Sequence, residues 1–160
     1  MPRVRALAGA AAALSLLAAC SGGTGPATVT VRDLAGTGST LVDPSGRTLY
    51  TTDREADGTV RCVAECVAIW IPLTVPTGTI PTGGAGVTGV LATVPRPDGA
   101  NQVTYNGRPL YTFAPDGGAG KFGGNGVHDS FGGVDFVWRA AVAAGSAPPP
   151  ADNGGGPAGY

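Results

Sequence analysis

The side chains able to do chemistry in this 160-residue chain are few: four tyrosines, three cysteines, two tryptophans and one histidine. Two of the tyrosines recur in step. Gly46-Arg47-Thr48-Leu49-Tyr50-Thr51 returns as Gly107-Arg108-Pro109-Leu110-Tyr111-Thr112, an offset of 61 with five identities in six positions, and Val42 aligns with Val103 in front of them. Side chains alternate across a strand, so if Leu49 and Leu110 face a core, Tyr50 and Tyr111 point outward or into a groove between the copies. A groove lined by Tyr50, Tyr111 and Phe113, with Trp70 or Trp138 nearby and the carboxylate of Asp116 at its rim, suits a sugar ring, a peptide or a haem-like plane. Aromatic faces stack on such ligands and polar tips orient them. The other use of the same tyrosines is packing, with half-buried rings and hydroxyls bonded to backbone.

Cys62 and Cys66 offer a second chemistry. Their spacing sets the Cα atoms about 6 Å apart on one helical turn, within disulfide reach. So small a ring removes only about 2 kcal/mol of unfolded-state entropy, and the bridge rigidifies a turn more than it stabilises a domain. Small-ring bridges are also easier to reduce, so the pair could serve a redox or electron-transfer accessory. Against this, the spacing is Cys-x-x-x-Cys, no thioredoxin-like strand and helix surround it, and Glu65 between the cysteines would raise a thiolate pKa. A tetrahedral zinc site would need Cys62, Cys66, His128 and a carboxylate, and oxidation removes two of these. Gly123 to Asp129 misplaces the acid of a calcium-binding nonapeptide and reads as a glycine-rich loop. Ser130, His128 and Asp129 are too close in sequence to converge as a triad, and no Gly-x-Ser-x-Gly elbow exists. No catalytic residue, metal or cofactor is predicted.

The elements that position these groups follow an address. Arg3 and Arg5 precede the 14-residue apolar run Ala6–Ala19, too short to span a bilayer core and suited to a cleaved export signal at residues 1–19. Leu17-Ala18-Ala19-Cys20 resembles a lipobox, which implies a diacylglyceryl thioether on Cys20, a lipidated linker over 20–27, and membrane lipid as the first partner. Expected location is the cell envelope, anchored to the outer face of a membrane. Export also favours pairing Cys62 with Cys66.

Taking Arg3 and Arg5 from the ten basic residues leaves eight against eleven acids, a balance of −3 that argues against a nucleic-acid partner. Glycine (28) and proline (14) are abundant enough to suggest low complexity, but Val29 to Val142 carries nearly all the aliphatic and aromatic residues of the mature chain. Composition predicts one two-repeat domain at 28–143, its units at about 37–92 and 93–142, and a disordered Gly/Pro tail at 144–160.

Period-two alternation in Thr28 to Arg32 and Gln102 to Tyr105 predicts half-buried strands, with others at Thr40–Val42, Thr48–Thr52, Val90–Val94, Pro109–Phe113 and Asp135–Val142. Asn106-Gly107 is a hairpin turn signal. Only Cys62–Trp70 offers a helix, ended by Pro72. The expected fold is all-β, two similar hairpin-based repeats packed about a pseudo-twofold axis as a small sandwich or open barrel, with one short helix near the cysteines.

At these residues the chain resembles a group of secreted lipoproteins built from a repeat of unknown function and described by a Tyr-x-aromatic-x-x-Asp motif. Tyr111-Thr112-Phe113-Ala114-Pro115-Asp116 fits it; Tyr50 to Glu55 departs, with Thr52 for the aromatic and Glu55 for the acid. Cys62 to Leu73 is similar to the family's Cys-x-x-x-Cys run leading into Trp-Pro-Pro-Leu, Ile71 replacing one proline. Arg96-Pro97-Asp98-Gly99 and Phe131-Gly132-Gly133-Val134 to Trp138 extend the likeness. The resemblance implies an envelope protein with no settled activity. The residues add an expectation of a non-enzymatic module binding an envelope ligand or protein, with the redox accessory as the alternative.

Overall fold

The computed structural model describes residues 25–145; the expected leader, the expected lipidation site Cys20 and the tail beyond residue 145 lie outside the described residues. Strands β1 (Thr30–Leu34), β2 (Gly38–Val42) and β3 (Tyr50–Thr52) lead into a 3-10 turn at Asp53–Glu55. Helix α1 (Cys66–Ile69), β4 (Trp70–Pro72) and β5 (Thr74–Val75) follow. The second half runs β6 (Leu91–Pro95), β7 (Asn101–Tyr105), β8 (Arg108–Pro109), β9 (Tyr111–Phe113), a second 3-10 turn at Ala114–Asp116, β10 (His128–Phe131) and β11 (Val134–Ala140). The fold is all-β. A five-stranded sheet ordered β10-β11-β3-β9-β4 packs with a β5-β7-β6 sheet, which β8 joins through β7, and with the β1-β2 ribbon.

The two halves are related by a local twofold through the middle of the five-stranded sheet. Strands β3 and β9 pair antiparallel with Tyr50 directly opposite Tyr111, so equivalent residues face each other across the axis. The symmetry extends outward: Trp70 on β4 lies opposite Phe113, and Trp138 on β11 lies opposite Thr52, the counterpart of Phe113. It holds for the backbone joining the sheets too. Leu41 N donates to Ala141 O, Ala141 N to Leu49 O and Leu49 N to Leu41 O, all at 2.8–2.9 Å; Val103, Leu73 and Leu110 form the same closed triangle at the same distances. Leu41 thus corresponds to Val103, and Val42, paired with Thr48, corresponds to Thr104, paired with Pro109. This corrects the Val42/Val103 alignment by one residue, because the first hairpin's loop is one residue longer than the second's.

That longer loop is organised by Asp43, whose Oδ1 accepts from Ser45 N and Arg47 N, both at 2.9 Å, while Arg47 closes an ion pair onto Oδ2 at 2.7 Å. The shorter one is the expected two-residue hairpin, with Asn106 and Gly107 at φ of 50° and 80°. The helix is a single turn, at the short end of the one or two turns expected within Cys62–Trp70. Ala64 sits at φ 52°, in the left-handed region, and this interrupts a helical path between the cysteines, so α1 begins at Cys66. Three strands, β4, β5 and β10, were not anticipated. Strand β4 carries Pro72, tolerated because β4 is a sheet edge where the missing N–H costs no ladder bond. Strand β10 is polar, but Gly132-Gly133, both at positive φ, turn it back onto β11 as a two-residue hairpin.

Both faces of the Leu-Tyr step are buried. Leu49 and Leu110 join Val29, Leu41, Val103 and Tyr105 in one core, with Val31, Leu73, Val87 and Leu91 at its border. Tyr50 and Tyr111 belong to a second core with Trp70, Phe113, Phe136, Trp138 and the Cys62–Cys66 disulfide.

Candidate functional site

The second core is built around aromatic rings. Trp70 and Trp138, counterparts across the twofold, stack at 3.9 Å with an interplanar angle of 8°. Phe113 stacks on Trp70 at 4.4 Å and Phe136 on Trp138 at 5.7 Å, giving a four-ring column. Each tyrosine meets one tryptophan edge-on: Tyr50 with Trp70 at 5.4 Å, Tyr111 with Trp138 at 5.2 Å. Such pairs contribute about 0.5–1.5 kcal/mol each beyond the area they bury. The groove pictured from sequence is therefore closed. Tyr50, Tyr111 and Trp70 are fully buried and Phe113 nearly so, because the faces that would have lined a groove pack on their symmetry mates.

Each hydroxyl donates to a carboxylate from the opposite repeat. Tyr50 Oη donates to Asp116 Oδ2 at 2.6 Å, and Tyr111 Oη donates to Glu55 at 2.8 Å to Oε2 and 3.0 Å to Oε1. Glu55 therefore performs the task of Asp116 despite departing from the motif. In each copy the acid also accepts from the backbone N–H seven residues on: Cys62 N to Glu55 Oε1 at 2.8 Å, Gly123 N to Asp116 Oδ1 at 2.8 Å. Arg61 N adds a further donor to Glu55 at 2.6 Å. Burial, reinforced by the neighbouring carboxylates, pushes both phenols well above the ordinary tyrosine range, so the proton stays on the phenol. Burial likewise raises Asp116, outweighing its bonds from Tyr50 and Gly123.

The two copies shield their pairs differently. Over Tyr50 and Asp116 lies the glycine-rich loop, whose Gly124 N reaches Tyr50 Oη at 3.3 Å. A Cβ at Gly124 would stand 2.8 Å from Trp70 and 2.9 Å from the Tyr50 ring. Gly124→Ala is expected to destabilise the domain by about 1–3 kcal/mol, since neither ring has room to retreat; a melting temperature matching wild type would refute that packing. Beside Glu55 and Tyr111 stands the Cys62–Cys66 bridge, Cα atoms 5.3 Å apart, both cysteines fully buried. Arg96 locks this side. Its guanidinium donates to Cys62 O at 3.0 Å, Gln102 Oε1 at 2.6 Å and Asp98 Oδ2 at 3.0 Å, while Gln102 Nε2 donates to Leu110 O at 2.8 Å.

Hydrogen-bond equivalence runs from Thr30 to Leu73 in the first copy and from Ala92 to Ala141 in the second, ahead of the start at about residue 37 read from the hexapeptide. The second of these stretches carries a family likeness. Residues 92–141 match a lipoprotein family described as a secreted repeat of unknown function. The secreted repeat thus spans β6 to β11, and its name implies a secreted, lipoprotein-type protein, consistent with the cell envelope. Comparison with curated proteins and with solved structures found no match.

The other chemistry-bearing residues do not gather around Tyr50 and Tyr111 as a reactive set. Asp129 turns inward and accepts from Trp70 Nε1 at 2.7 Å, while His128 and Ser130 are exposed on the same strand. Alternation along β10 thus separates the three. Among the described residues, no group of three or more His, Cys, Asp or Glu could hold a metal ion. Glu55, Arg96 and Gln102, the buried polar residues that matter most here, were not singled out from sequence. The first was visible only as an irregular motif position, the second only inside Arg96-Pro97-Asp98-Gly99, and nothing pointed to the third.

Proposed function

We propose that the mature chain is a lipid-anchored envelope module, held by acylated Cys20, that binds a ligand or partner protein and performs no catalysis of its own. The observation that carries this reading is the reciprocal use of Tyr50, Tyr111, Glu55 and Asp116 as braces between the repeats, which commits the motif's polar groups to the fold. Binding then falls to the surface. A cleft of about 570 Å³ is lined by Asp57 to Val60, which follow Glu55, and by Val94 to Pro97, which include Arg96. It joins apolar walls to an exposed Arg61–Asp57 ion pair at 2.7 Å beside it. Prolines and valines next to a few oriented charges suit an extended peptide segment or a small polar ligand.

Two measurements test this. Intact mass spectrometry of the chain purified from membranes is expected to show it beginning at Cys20 with fatty acyl groups attached; an unmodified thiol there removes the anchor. Thr59→Arg, which places a bulky cation in the cleft, is expected to reduce retention of the envelope components that wild type co-purifies by roughly tenfold, about 1.4 kcal/mol. Equal retention with and without the substitution removes the cleft.

A further inference from the structure

We infer that the loop preceding β6 rests on the bilayer that holds the lipid anchor, with Ile80 entering the lipid interface. The inference rests on the proposed acylation of Cys20. Ile80 is 82% exposed, the most solvent-exposed of the large hydrophobic residues described. Its loop is fastened to the chain segment that arrives from the anchor. Thr28 N donates to Thr82 Oγ1 at 3.3 Å and Thr82 N to Thr28 Oγ1 at 3.0 Å. Val29 N donates to Thr82 O at 3.1 Å and Gly84 N returns a bond to Val29 O at 2.8 Å. Ile80 therefore sits two residues from a clasp on Thr28, and Thr28 is eight residues after Cys20. At no more than ~3.5 Å per residue, the clasp is confined to within roughly 28 Å of the acylated sulfur.

Charge points the same way. No Asp, Glu, Lys, Arg or His occurs between Glu65 and Arg96, and none between Cys20 and Arg32. The two segments brought together by the clasp thus carry no ionisable side chain whose desolvation would oppose contact with lipid. An exposed aliphatic side chain on an uncharged loop, tied next to an anchored linker, has one large apolar phase within reach. Removing Ile80 from water there is favourable.

The test uses the acylated chain purified from membranes and reconstituted in phosphatidylethanolamine/phosphatidylglycerol vesicles containing a doxyl-labelled lipid. With Cys20 blocked by lipid and Cys62–Cys66 oxidised, Thr79→Cys supplies the sole thiol for an environment-sensitive fluorophore. Its emission is expected to shift to the blue and be quenched by the doxyl lipid, whereas the same label at Ser130→Cys, on β10 of the other core's sheet, is not. Adding Ile80→Asp to Thr79→Cys is expected to lower the docked-to-undocked ratio by about tenfold or more, from the burial energy of an isoleucine. Raising the salt from low to molar concentration should leave the quenching in place, since contact between uncharged groups is not screened. Equal quenching at both label positions, indifference to Ile80→Asp, or loss of quenching in salt would each overturn the docking. Thiol labelling of the wild-type chain would instead show Cys20 unacylated, and the docking would fall with the anchor beneath it.

Discussion

Glu55→Ala is expected to cost about 3–5 kcal/mol, more than any other single substitution considered for this domain. Glu55 is fully buried, and its carboxylate is the shared acceptor for Tyr111 Oη, Arg61 N and Cys62 N. Truncation strands three donors, each with a desolvation penalty of about 1–3 kcal/mol if water cannot reach it, and leaves a void beside Trp138 and the disulfide. Against a total stability of about 5–15 kcal/mol, such a loss lowers the melting temperature by roughly 10–20 °C. The symmetry-related Asp116→Ala should cost only about 1–2 kcal/mol, because Asp116 is only partly buried and one of its two stranded donors, Gly123 N, belongs to a solvent-exposed residue. Thermal unfolding of the two variants by circular dichroism checks the order. Equal losses, or a larger one at Asp116, would mean that the two braces are not distinguished by burial. A cycle with Tyr111→Phe should return a coupling of about 1.5–3 kcal/mol to Glu55, the range for a hydrogen bond to a charged group.

The difference between these two acids shows what sequence can and cannot disclose. The repeated hexapeptide reported two hairpins and, through Leu49-Tyr50 and Leu110-Tyr111, the alternation that splits the core into two layers. It could not report that both faces are covered, because burial of the tyrosine face depends on Trp70 and Trp138. These arrive from strands 68 residues apart and become equivalent only across the twofold. The repeat's spacing of 61 does not relate them. A sequence comparison therefore sees two unrelated tryptophans where the structure has a stacked symmetric pair.

The local errors have local causes. The helix was expected from Cys62 to Trp70, yet Ala64 in the left-handed region delays its start to Cys66, and Trp70, in extended conformation, ends it and opens β4. Strand β10 has too few apolar residues for a period-two signal, and only the Gly132-Gly133 pair behind it marks a hairpin. The candidate site was legible in its membership, since Tyr50, Tyr111, Phe113, Asp116 and Trp70 do converge, but not in its role. A tyrosine preceding a 3-10 turn that carries an acid looks like a local motif. In fact Tyr50 and Tyr111 each reach across to the other copy's acid, a contact more than fifty residues away in sequence. Thr52, standing where the motif has an aromatic, accepts from Arg54 N at 3.4 Å and caps its turn, a task Phe113 does not perform in the second copy.

The same cross-braces make the domain sensitive to alkali. Tyr50 and Tyr111 have folded-state pKa values raised by burial and by the carboxylates they face, whereas in the unfolded chain both ionise near the ordinary tyrosine value of 10.0. Below pH 10 both states hold these protons and stability does not depend on them. As pH rises above 10 the unfolded chain releases two protons that the folded domain retains, and folding loses about 1.4 kcal/mol per pH unit for each phenol, about 2.7 kcal/mol per unit for the pair. Over one to two pH units this exhausts a marginal domain. Two consequences can be measured. Urea unfolding midpoints should stay level through pH 9 and fall steeply above 10, with Tyr50→Phe or Tyr111→Phe each removing about half of that slope. Absorbance near 295 nm should show two tyrosines silent while the domain is native, then ionising together when it unfolds. If both phenols titrate near pH 10 in the folded domain, with no loss of structure, then water reaches the Tyr50–Asp116 and Tyr111–Glu55 bonds freely, and the braces cannot be what holds the repeats together.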